Sequence, residues 1–317
     1  SLIDRYFAAH PRHRSDVALG IGDDGALLVP PPDQQLVVTL DTLIADVHFF
    51  ADADPEGIGH KALAVNLSDL AAMGAVPAWA TLALTLPKAD EVWLGRFCRG
   101  LFALADRYDV QLIGGDTTHG PTTMITIQAM GFVPPGQALR RDGANPGDGI
   151  YVTGTPGDAG LALAAAYGTA TVVPEYAAQV QTRLARPEPR LDQGVMLRGI
   201  AGAAIDVSDG LAQDLGHILK RSGVGARLDV EDLPLSPALI ASLARDVALS
   251  AALTGGDDYE LCFTVAPKYA TQLATLTTLW NCRCTRIGLI EPEPGLRLVR
   301  ADGSIFPSVR SGYDHFR

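Results

Sequence analysis

The chain has 317 residues, 47% hydrophobic and 19% charged, which is ample material for a core and excludes a disordered chain. Its 25 basic and 36 acidic residues leave a net charge of −11, which argues against a nucleic-acid backbone as partner. No apolar run approaches the roughly 20 residues a bilayer span needs, and the cysteines (Cys98, Cys262, Cys282 and Cys284) are too few and unevenly spaced for a disulfide scaffold or a paired CxxC zinc site. The opening Ser1-Leu2-Ile3-Asp4-Arg5 lacks the shape of a signal peptide, so the expectation is an acidic, cytoplasmic, globular protein with no membrane or nucleic-acid partner.

In chain order, Leu36-Val37-Val38-Thr39-Leu40 predicts a buried strand, and residues 57–73 predict a helix closed by Gly74. Residues 79–86 alternate like a strand. Residues 89–107 give the clearest helix: Asp90 and Glu91 suit its positive end, and Trp93, Phe97, Leu101 and Leu104 share one face. Strands are predicted at 110–113 and 123–133, so this half reads βαβ and then αββ. Two turn-rich stretches follow, Pro134-Pro135-Gly136 and Ala144-Asn145-Pro146-Gly147-Asp148-Gly149. A domain boundary is placed between them, giving an N-terminal domain over 1–137 and a C-terminal α/β domain over 138–317. The second half predicts a strand at 150–153, helices at 158–167 and 175–185, a strand at 203–207 and a helix at 209–222. Ser236-Pro237 opens another helix. Strands follow at 260–265, 284–290 and 296–300, and Asp302-Gly303 fits a hairpin turn.

Gly20-Ile21-Gly22-Asp23-Asp24-Gly25 matches the dinucleotide fingerprint letter for letter, but no apolar strand precedes it and Pro30-Pro31-Pro32 follows where a helix must open. An acidic turn or a cation site fits better. Asp41 and Asp116 each directly follow an apolar strand, and Asp206 lies in Asp206-Val207-Ser208-Asp209-Gly210. Carboxylates at strand ends, with Gly114-Gly115 allowing close backbone approach, suit a phosphate ligand carried by a cation. Asp69 sits on an almost wholly apolar helix, one turn from Asn66, and needs a partner: a salt bridge or a metal. Asp24, Asp41, Asp69, Asp116, Asp206 and Asp209 together would repel one another unless hard divalent cations intervened. There is no Walker loop. The turn Gly154-Thr155-Pro156-Gly157 reads as structural, His48 as a loop histidine of open role, and Cys282-Arg283-Cys284 as incidental.

These islands, with Lys61–Gly74, Gly255-Gly256-Asp257-Asp258-Tyr259-Glu260-Leu261 and Gly312-Tyr313-Asp314-His315-Phe316, resemble in seven ordered places the thiamine-monophosphate kinase family. The resemblance implies transfer of the ATP γ-phosphoryl group to thiamine monophosphate with Mg²⁺. It also implies the two-domain aminoimidazole ribonucleotide synthetase-like fold and a homodimer whose N-terminal domains pair into a β-barrel. Carried over, Asp24, Thr39, Leu40, Asp41, Asp69, Asp116, Asp206 and Asp209 are metal ligands. Gly115, Asp116, Arg140 and Ser208 contact nucleotide, and His48, Asp257 and Tyr313 contact the acceptor. Leu40 stands where the family often has Ser or Thr, so its contact comes from the backbone carbonyl; Asp257 stands where Glu is common. No catalytic base is implied beyond metal and phosphate positioning. Another enzyme of the fold, such as aminoimidazole ribonucleotide synthetase, and a non-enzymatic cation binder stand as alternatives. Selenophosphate synthetase would want a reactive Cys nearer the N-terminus than Cys98, and the hydrogenase-maturation relative a C-terminal Cys.

Overall fold

Apolar alternation and the helix-end signals resolve into two bodies in the computed structural model, which describes residues 2–10 and 13–307. One unit comprises Ser1–Leu70 with Ala75–Ala138, the other Ala71–Gly74 with Leu139–Arg317.

The first unit opens with a single helical turn, Asp4–Ala8. Its elements are β1 (Val17–Leu19), β2 (Leu27–Leu28), β3 (Gln35–Ile44), α1 (Pro55–Ala72), β4 (Val76–Leu86), α2 (Glu91–Arg107), β5 (Gln111–His119) and β6 (Met124–Val133). β1 and β2 form a small antiparallel pair, and the main sheet runs β3-β6-β4-β5, antiparallel except for the parallel β4–β5 pair. α1 is apolar around almost its whole circumference and is accordingly buried, Leu63, Ala64, Leu67, Leu70 and Ala71 completely or nearly so. A Cβ on Gly59 of α1 would lie 2.0 Å from the Phe97 carbonyl oxygen, and one on Gly100 of α2 would lie 1.8 Å from that of Glu56. These reciprocal glycines let the two helix backbones touch. α2 starts where expected: the Asp90 carboxylate accepts the Val92 and Trp93 amides, each at 3.1 Å.

The second unit contains β7 (Gly149–Thr153), α3 (Asp158–Ala166), α4 (Pro174–Ala185), α5 (Leu191–Met196), β8 (Ala201–Val207), α6 (Leu211–Ser222) and β9 (Gly225–Asp229). Then come α7 (Pro237–Ser242), α8 (Arg245–Thr254), β10 (Glu260–Val265), α9 (Ala270–Thr277), β11 (Cys284–Glu291) and β12 (Gly295–Val299). Its six-stranded sheet has the order β12-β9-β11-β7-β10-β8, with only β12–β9 parallel. Ile150, Val152, Ile205, Val207, Leu211, Leu215 and Ile218 pack α6 onto that sheet.

Three differences from the sequence reading bear on the site. The strands predicted at 36–40 and 110–113 run on to Ile44 and His119. The helix predicted from 209 begins at Leu211, which leaves Ser208, Asp209 and Gly210 as a loop. The elements β1, β2, β9, α5, α8 and α9 were not anticipated. Among the described residues, the cysteines are free thiols and no helix is long and apolar enough to cross a membrane.

Candidate functional site

Asp41 and Asp116 are not at strand ends. Each lies inside its strand, three positions before the last residue. The residues that follow, Thr42 and Thr117-Thr118, are β-branched, so pairing continues through polar sequence wherever one sheet face is wet.

Along β3 the side chains alternate. Leu40 points outward, 57% exposed, whereas the Thr39 hydroxyl reaches α1 and donates to the Asp69 carboxylate. On the same helix face the buried Asn66 Oδ1 accepts the Asp41 amide at 3.1 Å, and its Nδ2 donates to the Ala62 carbonyl at 3.1 Å. The Thr39 hydroxyl is thus one partner of Asp69, for which the sequence left a salt bridge or a metal. His48 lies in the turn after β3; its Nδ1 accepts the Ile44 amide at 3.1 Å, and its carbonyl accepts from Lys61 Nζ at 3.4 Å. With Nδ1 accepting, the neutral ring carries its proton on Nε2.

The Gly20–Gly25 segment is the loop between β1 and β2. With the N-terminal turn and the Gly114–Thr117 stretch of β5 it encloses a cavity of about 380 Å³, lined among others by Asp4, Asp23, Asp24, Gly114, Gly115 and Asp116. Gly115 has φ +153° and its missing Cβ would fall 1.9 Å from the Leu82 carbonyl oxygen, so only glycine fits there. Among the described residues, four carboxylates and no basic side chain line this cavity. Carboxylates so placed favour a cation in this space.

In the second unit Asp206 is the penultimate residue of β8 and is buried. Beyond it, one oxygen of Asp214 accepts the amides of Ser208, Asp209 and Gly210 at 3.0, 3.0 and 3.1 Å, which fixes the loop. Burial, with the Asp209 charge beside it, pushes the Asp214 carboxyl up to about 7 against the pull of those amides. Sequence reasoning missed Asp214; its position in the first turn after Asp206-Val207-Ser208-Asp209-Gly210 was the available signal. The Asp209 carboxylate accepts from Gln213 Nε2 at 3.2 Å. The loop's carbonyls hold the acidic segment before β10: Asp257 donates to Ser208 and Tyr259 to Val207, both at 2.8 Å. Asp257 and Tyr259 have φ of 65° and 52°, a conformation side chains rarely adopt. Tyr259 Oη donates to the Asp257 carboxylate at 3.0 Å.

Behind this segment Glu260 is completely buried and accepts three hydrogen bonds from two arginines: both its oxygens are held by Arg190 at 2.6 Å, with Arg183 at 2.6 Å, and the Thr153 hydroxyl donates a fourth at 2.6 Å. Burial pushes the Glu260 carboxyl up, but the guanidinium groups outweigh it and hold the group below its ordinary value. Arg183, Arg190 and Glu260 were not singled out from sequence, because the charges that meet here are 70 or more positions apart. Arg140 forms a two-point pair with Asp142 at 2.9 and 2.5 Å on the surface. Tyr313 lies outside the described residues.

Among the described residues, no three Asp, Glu, His or Cys side chains gather closely enough to hold a metal unaided. The six aspartates singled out are distributed as follows: Asp24 and Asp116 at the cavity, Asp41 and Asp69 at the β3–α1 face, and Asp206 and Asp209 in the second unit.

Two family models cover the chain: AIR synthase related protein, N-terminal domain, over residues 22–133, and AIR synthase related protein, C-terminal domain, over residues 145–300. The fold is thus the two-domain AIR synthase-like class, with mixed α/β content. A thiamine-monophosphate kinase of Salmonella typhimurium is 52% identical over 319 residues, with 100% of this chain and 97% of that protein covered. A crystal structure of thiamine-monophosphate kinase from Stenotrophomonas maltophilia K279a matches with a TM-score of 0.88 at 51% identity, covering 96% of each chain. A structure of AaThiL complexed with AMPPCP and TMP matches with a TM-score of 0.78 at 32% identity, covering 93% of this chain and 92% of that one. The chain belongs to the thiamine-monophosphate kinase family.

Proposed function

We propose that the protein transfers the γ-phosphoryl group of ATP to thiamine monophosphate, giving thiamine diphosphate. The observation that carries this reading is the 52% identity to a kinase of that name along the full chain. The relative bound to AMPPCP and TMP supports the substrate pair. A phosphate oxygen is already anionic at neutral pH, so attack needs no general base, and positioning with charge neutralisation suffices.

His48 fits that chemistry as a donor. Its Nε2 carries the proton, and use of Nε2 as a base would require moving that proton to Nδ1, against the Ile44 amide. An ADP-release assay with both acceptors is expected to show turnover with thiamine monophosphate and at most a trace with free thiamine. His48→Asn is expected to raise KM for the acceptor roughly tenfold, the value of one hydrogen bond to a charged group. Its kcat should stay near wild type; a collapse in kcat at unchanged KM would make His48 a base.

Mg²⁺ is the cation the donor set suits. Asp24 and Asp116 would hold it at the cavity, with Thr39, the Leu40 carbonyl, Asp41 and Asp69 as further oxygen donors of the first unit, and Asp206 and Asp209 in the second. Few protein ligands are needed, because Mg²⁺ keeps waters and takes substrate phosphates. When bound, it would neutralise phosphate charge. Gly115 and Asp116 would meet the nucleotide in the first unit; Arg140 and Ser208 are assigned to it in the second, and His48, Asp257 and Tyr313 to the acceptor. Chelation is expected to weaken ATP binding at least tenfold in calorimetry, and equal affinity with and without chelator would remove the metal from the reading.

A homodimer is part of the same proposal. Leu36, Val38 and Leu40 stand on one face of edge strand β3, exposed by 47, 49 and 57%. Such a face on an open sheet suits a second copy, closing two sheets into a barrel. Sedimentation is expected to give a dimer for the wild type and a monomer for Val38→Glu. The domain boundary is proposed at 137/138.

A further inference from the structure

The segment before β10 and the first residue of that strand hold two side chains the proposed chemistry does not use, Asp258 and Glu260, between and after the two residues with left-handed backbone. Asp258 is 1% exposed. Its Oδ2 accepts the Gly157 amide at 2.7 Å, at the entrance to α3, and its Oδ1 has no hydrogen-bond partner among the described residues. A fully buried carboxyl with one idle oxygen is a poor device for stability alone, since the desolvation of that oxygen is uncompensated. What it does accomplish is geometric. Over three successive residues the chain is fixed three times: the Asp257 amide on Ser208, the Asp258 side chain on Gly157, and the Tyr259 amide on Val207. With the middle side chain drawn inward, its two neighbours take the left-handed conformation. Asp257 stays half-buried, with its carboxylate held by Tyr259 Oη. Strain of this kind persists only where surrounding contacts over-determine it, and it collects at functional sites.

We propose that Asp258 is a positioning residue of the acceptor site: anchored on the Gly157 amide, it holds Asp257 in the backbone conformation that presents its carboxylate to the acceptor. The inference rests on Asp257 as an acceptor contact. Asp258 touches no reacting atom and works through its neighbour.

The experiment compares Asp257→Ala, Asp258→Ala, Asp258→Asn and the double alanine variant in the full chain, with thiamine monophosphate, ATP and Mg²⁺ and with KM for each substrate measured separately. Asp258→Ala is expected to raise KM for thiamine monophosphate about tenfold and to leave KM for ATP within twofold. Asp258→Asn keeps an oxygen for Gly157 and is expected to restore the acceptor KM to within threefold of wild type. The double variant should be no worse than Asp257→Ala alone, because Asp258 acts through Asp257. An unchanged acceptor KM in Asp257→Ala defeats the acceptor assignment itself. A raised KM in Asp257→Ala with an unchanged one in Asp258→Ala defeats the positioning role and leaves that assignment standing. Equal rises in both KM values also overturn the role. If Asp258→Ala does not fold, Asp258→Ser replaces it with the same expectations. Misfolding of both, beside a normal Asp258→Asn, would show that the residue serves the fold alone and would overturn the proposal.

Discussion

Asp116→Asn is expected to lower kcat by roughly 100-fold or more, the scale of losing one preorganised electrostatic contact at a transferring group. Asp116 is exposed on β5 and lines the cavity directly after the two glycines that open the backbone there. Asparagine keeps the shape and removes one negative charge. In the proposed site that charge helps hold Mg²⁺ against the phosphates, and an amide oxygen is a weaker ligand for a hard cation. Substitution at an exposed strand position without packing consequences usually changes stability by no more than about 0.5 kcal/mol. The circular dichroism spectrum and urea midpoint should therefore match wild type while ADP release fails. Full turnover would remove Asp116 from the metal set.

Glu260→Ala is expected to cost about 3–5 kcal/mol of stability, because it leaves buried guanidinium groups without their counter-charge. The side chains of Glu260, Arg190 and Arg183 are only 1, 9 and 18% exposed, so solvent does little to screen the loss. The Thr153 hydroxyl also loses its acceptor. Against a total of about 5–15 kcal/mol for a typical domain, the urea midpoint should fall steeply. The contribution of the carboxyl has a definite pH window. Its pKa in the folded protein lies below the ordinary 4.5, so the stabilisation is present above pH 4.5 and fades as pH falls through the lowered value. The wild type and Glu260→Ala should therefore converge in stability toward acid pH. A loss under 1 kcal/mol at neutral pH would mean the arginines find other partners.

How much of this was legible in the sequence depended on the range of the signal. α2 was readable because its Asp90 cap and its apolar stripe are both local. α1 was readable from its length and the glycine after it, although it is apolar all round and shows no stripe. The polar tails of β3 and β5 are not legible as strand, since the apolar signal stops at Asp41 and at Gly114-Gly115-Asp116, and only a neighbouring strand that pairs with them extends them. β9, Gly225–Asp229, is too short and small-residued to stand out. The aspartate islands were visible as motifs. The Thr39–Asp69 contact and the Asp214 support were not, because each depends on how separate elements pack or how a loop folds back. Asp258 was hidden in plain view beside Asp257: two adjacent acids look alike in sequence, and only the fold turns one inward.

The order of strands in the first unit also sets when it can be completed. β6 lies between β3 and β4 in the sheet but is the last of them to be made, and Gln35 must wait for Val133 to pair. During synthesis β3 and β4 have no shared neighbour until nearly 100 further residues have followed Gln35, and α1 has no finished sheet to cover. Closing such a distant pairing is slow, and the open edges of β3 and β4 are sticky in the interval. The vulnerable product of translation is therefore a chain stalled before Met124, which carries the apolar strand residues Leu36, Val38 and Leu40 without the central strand that organises them.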